Sequence, residues 1–162
     1  MSVRDMNPLT PFFESAFADM AAELGPVNVQ ILLQHASLVE VEPGRRLIND
    51  RMPVEFLYFV VEGELSAYLE VSGRRINLGR IQPGVWLGEI SVLSGEAKAS
   101  STVEAVTACR LIRLHQRRFV DLIADNVDIA QVLLERFIDE MAKRMRTSIE
   151  HGEAAPKRQG EQ

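Results

Sequence analysis

The run Pro83-Gly84-Val85-Trp86-Leu87-Gly88-Glu89-Ile90-Ser91-Val92-Leu93, with Ser100-Ser101 shortly after it, holds the residue types that could grip a phosphate beside a sugar. Pro83-Gly84 reads as a tight turn, because proline presets one dihedral and glycine tolerates the next. After a short apolar step, Gly88-Glu89 opens what reads as a single helical turn. Such a turn leaves unpaired backbone N–H groups and a partial positive charge, and both suit a phosphate. A carboxylate directly after a small glycine could meanwhile accept a hydrogen bond from a sugar hydroxyl.

The pattern Gly-Glu-Ile-Ser-Val-Leu-Ser-Gly-Glu over positions 88–96 resembles the phosphate-binding cassette of the cyclic nucleotide-binding domain family. The likeness spans roughly Val39 to Met145. It takes in the turn Glu42-Pro43-Gly44-Arg45-Arg46-Leu47, the hairpin Leu57-Tyr58-Phe59-Val60-Val61-Glu62-Gly63-Glu64-Leu65, and the turn and strand Ser72-Gly73-Arg74-Arg75-Ile76-Asn77-Leu78-Gly79. Gln82-Pro83-Gly84 and the strand Thr107-Ala108-Cys109-Arg110-Leu111-Ile112-Arg113-Leu114 complete it. The resemblance implies a cyclic nucleotide ligand, cAMP or cGMP. Glu89 would accept from the ribose 2′-hydroxyl with Gly88 allowing close approach. Ile90 and Ser91 would present backbone N–H groups to the phosphate, and Ser100 a hydroxyl.

One position departs from the family pattern, which carries an arginine forked onto the cyclic phosphate near the end of the cassette. Counting back from Val103 puts Ala99 there, with Ser100 at the hydroxyl position; counting from Gly95-Glu96 puts Lys98 there instead. Neither register supplies arginine. Lysine is a single mobile charge, whereas arginine is a planar fork that binds a phosphate through two bonds. Losing a charge-assisted contact of that kind costs about 1.5–3 kcal/mol, or roughly ten- to a hundredfold in affinity. The base would need further contacts from Leu65, Leu78 or the long C-terminal helix, where Arg144 and Thr147 come within reach.

Around this segment the composition is that of an ordinary globular chain. The 162 residues are 46% hydrophobic and 25% charged, with net charge −5, a balance that disfavours a nucleic-acid-binding surface. The single Cys109 excludes an internal disulfide and lies in an apolar strand, so it reads as a small buried hydrophobe. No signal peptide or membrane-spanning run is evident, and a cytoplasmic location is expected. His35, His115 and His151 show no metal-ligand spacing, Cys109 has no local histidine, and Gly95-Glu96-Ala97-Lys98 is no Walker loop. A non-catalytic role is expected.

The elements that must position the cassette follow from periodicity. Phe12 to Leu24 reads as a helix with Phe13, Phe17, Met20 and Leu24 at helical spacing, stopped by Gly25-Pro26; Val27 to His35 reads as a second, short one. From Leu38 to Leu114, short β-rich runs alternate with Gly and Pro turns, which suggests a β-sandwich or β-roll. Leu65, Ala67 and Leu69 alternate with polar neighbours, and Tyr68 is expected at an edge. A helix over 115–123 follows, then an Asp125-Asn126 cap and a long helix from Val127 to Ile149.

On that helix, Ala130, Leu133 and Phe137 form a face suited to covering the mouth of the roll. Leu134, Ile138, Met141 and Met145 repeat at four and three residues, the spacing of a coiled-coil seam. The expected fold class is therefore α+β, mainly β: an eight-stranded β-roll or jelly roll flanked by N-terminal helices and a long C-terminal helix. Residues 1–37 form the helical segment, 38–150 the ligand-binding roll with its closing helices, and 151–162 a disordered tail. Many bacterial relatives of the catabolite activator protein continue into a helix-turn-helix. Here only about a dozen residues follow the long helix, too few for a DNA-binding domain. The expected function is a regulatory module that senses cAMP or cGMP, forms a homodimer through 127–149 and signals to a protein partner. The alternative is a degenerate domain that binds no nucleotide and acts as a dimeric interaction module.

Overall fold

The computed structural model of the chain describes residues 6–88 and 99–154. Three helices lead: α1 (Thr10–Ala16), α2 (Ala18–Leu24) and α3 (Pro26–Leu33). Eight strands follow among the described residues: β1 (Ser37–Val41), β2 (Arg46–Ile48), β3 (Phe56–Glu62), β4 (Leu65–Val71), β5 (Arg74–Ile81), β6 (Trp86–Leu87), β7 (Thr102–Ala105) and β8 (Cys109–His115). Two helices close the chain, α4 (Gln116–Asp125) and α5 (Val127–Ala154). The strands form two four-stranded antiparallel sheets, ordered β1-β8-β3-β6 and β2-β7-β4-β5. This is the expected roll between helical layers.

The central strand β3 is apolar on both faces and buried on both. Tyr58 and Val60 point into the roll with Val41, Leu65, Leu87, Val103, Cys109 and Leu111. Leu57, Phe59 and Val61 point the other way, into a second core shared with α1–α3, Phe119 of α4 and Leu133 of α5. One strand thus joins the two cores, which is why its sequence reads as a near-continuous apolar run rather than an alternating one.

Four local expectations are corrected. The helix foreseen over 12–24 breaks at Phe17 (φ −126°, ψ 49°). No residue there disfavours a helix; burial of Phe13 and Phe17 against Phe59, with ring centroids 5.6 and 5.3 Å away, overrides local propensity. Tyr68 is not at an edge: β4 is flanked by β7 and β5, and Tyr68 is 1% exposed. It lies on the outer face in phase with Ser66 and Glu70, but the guanidiniums of Arg75 and Arg46 roof its ring at 3.8 and 5.9 Å.

Asn126 directly precedes α5 as foreseen, its backbone oxygen accepting from Ala130 N–H at 2.9 Å, and it also ends α4, its side-chain amide donating to Leu122 O at 3.0 Å. The long helix runs to Ala154, past its expected end at Ile149, and reaches to within two residues of Pro156. Its buried face, Ile129 and Leu133 with Phe137 beside them, packs on the helices and the outer face of the β1-β8-β3-β6 sheet, not over the roll interior.

Burial pushes the Cys109 thiol up from its ordinary range, against lowering hydrogen bonds with Thr107 and Glu64; burial likewise raises the Tyr58 phenol, opposed by Arg113. Both folded-state pKa values are raised, so the stability the two groups contribute is whole below their unfolded values, about 8.5 and 10, and is lost as pH rises through the folded ones. The urea midpoint is expected to fall between about pH 8 and pH 10.5, and C109A to flatten the earlier part of that fall. An identical pH profile for C109A would show that the thiol is not a contributor.

A candidate phosphate-binding segment clipped to β3

The segment Gly88–Ser100 begins and ends on one stretch of chain. On the leading side, β6 pairs with β3 through Tyr58↔Leu87 and Phe59↔Trp86. The Pro83-Gly84 turn before it is pinned to the same strand, Gly84 N–H donating to Val60 O and Val60 N–H to Val85 O at 3.0 and 2.9 Å. On the trailing side, Ala99 N–H donates to Met52 O and Ala99 O accepts from Arg51 N–H, both at 2.9 Å, while Thr102 Oγ1 accepts from Asp50 N–H at 3.1 Å. The β2–β3 loop and β3 therefore fix both ends of the segment.

Of the sequence-predicted site residues, Gly88, Ala99 and Ser100 are described; Glu89, Ile90, Ser91 and Lys98 lie outside the described residues. Gly88 has φ 87°, and a Cβ there would stand 2.5 Å from Phe56 O. Its need for glycine thus has a reason within the fold, namely the close approach of β6 to the start of β3. Ala99 is buried and Ser100 exposed. The structure brings Gly88 and Ala99 to the same strand-and-loop frame.

Among the residues expected near a base, Leu65 is fully buried in the roll core and presents nothing to a ligand. Leu78 is 53% exposed and Ile76 48% exposed. Ile76 opposes Leu69 across the β4–β5 ladder, and Leu78 is the extra residue where the register shifts between Ala67 and Tyr68. The outer ends of this hairpin therefore carry apolar surface that the protein itself leaves half uncovered. Arg144 and Thr147 lie on α5, and their side chains are outside the described residues.

Two residues that sequence reasoning passed over lie at the ends of the segment. Trp86, two residues before Gly88, stacks on Phe59 at 6.1 Å and donates its Nε1–H to Glu140 Oε2 of α5 at 2.7 Å. Its signal was being the lone tryptophan beside the Pro-Gly turn. The other is Arg51, opposite Ala99. A separate cavity of about 620 Å3, lined by Ser66, Arg75, Asn77, Arg80 and Glu104 among others, opens on the β2-β7-β4-β5 sheet and includes none of the predicted residues. Among the described residues no cluster of three metal-ligating side chains occurs, and no helix is long and apolar enough to cross a membrane.

The two-sheet roll flanked by helices is the jelly-roll architecture that the sequence led one to expect. Residues 38–126 match the family described as Cyclic nucleotide-binding domain, more than half of the sequence, and the chain belongs to that family. It is 27% identical over 124 residues to the cAMP-activated global transcriptional regulator CRP of Salmonella typhimurium, covering 76% of this chain and 57% of that one. The chain thus spans little more than half the length of this relative. The catabolite activator protein of Thermus thermophilus superposes with a TM-score of 0.70 at 22% identity, over 83% of this chain and 62% of its own. A triple-substitution variant of the regulatory subunit of a cAMP-independent protein kinase A from Trypanosoma brucei, one change being threonine to arginine, was solved bound to cAMP. It superposes with a TM-score of 0.65 at 21% identity, over 80% of this chain and 46% of that one.

A methyl group at position 88 would force a left-handed backbone on a Cβ and press it against Phe56 O. G88A is expected to cost about 3 kcal/mol, the sum of the dihedral penalty and overpacking, and to shift Trp86 emission toward the red as β6 loosens. Unfolding curves that superpose on the wild type would show that β6 is not held by this contact.

Proposed function

We propose that the chain is a non-catalytic regulatory module that binds a cyclic nucleotide, cAMP or cGMP, at 88–100 and passes its occupancy to α5. The observation that carries this reading is the frame of the segment. Its leading strand is hydrogen-bonded to β3 and, through Trp86, to Glu140 on the long helix. On this reading Glu89 accepts from the ribose, backbone N–H groups of Ile90 and Ser91 and the Ser100 hydroxyl meet the phosphate, and the base lies against Leu78 and Ile76. Burying half-exposed apolar side chains under a flat heterocycle gains roughly 25 cal/mol per Å² covered.

Leu134, Ile138 and Met145 are 38%, 63% and 65% exposed on α5, at the spacing foreseen for a seam. A second copy of this chain fits that surface, because a heptad stripe is complementary to itself. Ligand occupancy then biases the α4–α5 arrangement that a further protein partner reads. The whole is expected to act inside the cytoplasm.

A second reading is favoured by one observation, the alanine at position 99. Without an arginine there the domain would be a dimeric interaction module that binds no nucleotide. The trypanosomal subunit described above is called cAMP-independent, while the variant bound to cAMP carries an introduced arginine.

Calorimetric titration of refolded, ligand-stripped protein with cAMP and with cGMP separates the two. The sensor reading expects a micromolar or tighter dissociation constant for one of them, with a change in Trp86 emission at the same midpoint; no heat and no emission change at several temperatures selects the interaction module. Independently, I138E is expected to shift the solution mass from two chains to one by placing a charge in the seam. A wild-type protein that already measures as one chain at high micromolar concentration refutes the dimer.

A further inference from the structure

Arg51 holds a conformation that its residue type disfavours. Its φ is 63°, in the left-handed region where a Cβ crowds the following carbonyl and glycine is the usual occupant. Ser72, the other non-glycine with positive φ among the described residues, sits in the β4–β5 hairpin turn, where such geometry is routine. Arg51 is the third residue of a turn closed by Met52 N–H donating to Asn49 O at 3.1 Å. Its own N–H donates to Ala99 O, and Ala99 N–H donates to Met52 O. One left-handed residue that shares its opposed partner with its successor is a bulge ordinarily built with glycine. Here an arginine holds the position, and strained backbone of this kind clusters at functional sites.

The side chain it brings is uncommitted. Arg46, Arg75, Arg80, Arg110 and Arg136 are each tied to a glutamate. Arg51 is exposed and makes no ion pair among the described residues. Directly opposed residues of an antiparallel pair lie about 5 Å apart, well within the span of an arginine side chain. A guanidinium from position 51 can thus serve the space beside position 99, and it retains the bidentate fork that a lysine lacks.

We propose that Arg51 supplies the guanidinium of the ligand site, gripping the phosphate of a cyclic nucleotide from the β2–β3 turn across from Ala99. This rests on the sensor reading given above. It makes the alanine at 99 a relocation of the charge to the opposite strand of the pair rather than its loss.

R51G is the natural probe, because glycine suits the bulge and removes only the side chain. It is expected to melt no lower than the wild type, yet to bind cAMP or cGMP at least about tenfold more weakly. R51K should fall between the two. In the double variant R51G/A99R, a guanidinium placed on the opposite strand should restore affinity to within a few fold of wild type. If the wild type binds one nucleotide and R51G binds it equally, the assignment of Arg51 is overturned while the sensor reading stands. Loss of affinity in R51G accompanied by a lower melting temperature, or not restored by A99R, makes the turn's role structural and also overturns it. If the wild type binds neither nucleotide, the sensor reading fails and this assignment falls with it.

Discussion

The ring of Phe59 meets the edges of Phe13 and Phe17 and stacks on Trp86, with centroids 5.6, 5.3 and 6.1 Å away. These contacts tie the leading helices to the strand that opens the candidate segment, through a single side chain of β3. Burying such a ring is worth roughly 1.5–3 kcal/mol, and each well-oriented aromatic pair adds about 0.5–1.5. The backbone of the same strand carries the other half of the arrangement. Its hydrogen bonds hold β6 on one side and β8 on the other, and Tyr58 and Val60 seal the roll from within. The helical layer, the roll and the leading end of the candidate segment therefore share one strand. Each is positioned by β3.

The fold was legible because its signals are local and repeated. Pro-Gly and Gly turns at short intervals, with apolar runs between them, specify strands whatever packs outside them. That α5 is a helix with Leu134, Ile138 and Met145 exposed on it was legible for the same reason, since apolar residues at helical spacing need no tertiary information. What escaped was decided at a distance. Nothing between Ser15 and Ala18 breaks a helix, and only Phe59, some forty residues away by count, explains the kink at Phe17. Tyr68 reads as an intruder on a polar face until Arg46 and Arg75, from two other strands, are seen to cover it.

The candidate site divides along the same line. Gly88-Glu89 and the serine after Ala99 are proposed from their order in the chain, and the absent arginine from counting. Arg51 could not be proposed that way. It is one of many arginines, in a turn without glycine, and its distinction lies in a dihedral angle and in which strand its N–H faces. Sequence reports which charges exist; backbone pairing decides which of them share a site.

The hydrogen bond from Trp86 to Glu140 sets a scale for what occupancy of the segment can accomplish. A bond to a charged acceptor contributes about 1.5–3 kcal/mol. A ligand can shift an equilibrium only by the difference in its interaction with the two states. If the segment tightens or loosens β6, the share that reaches α5 through this contact is bounded by that bond, about ten- to a hundredfold. This lies within the 1–3 kcal/mol typical of coupling between sites. Reciprocity then follows on the sensor reading. Whatever pairs with the exposed face of α5 and favours one position of Glu140 must change ligand affinity by the same factor. A partner on the helix and a nucleotide in the roll would thus sense each other through one indole.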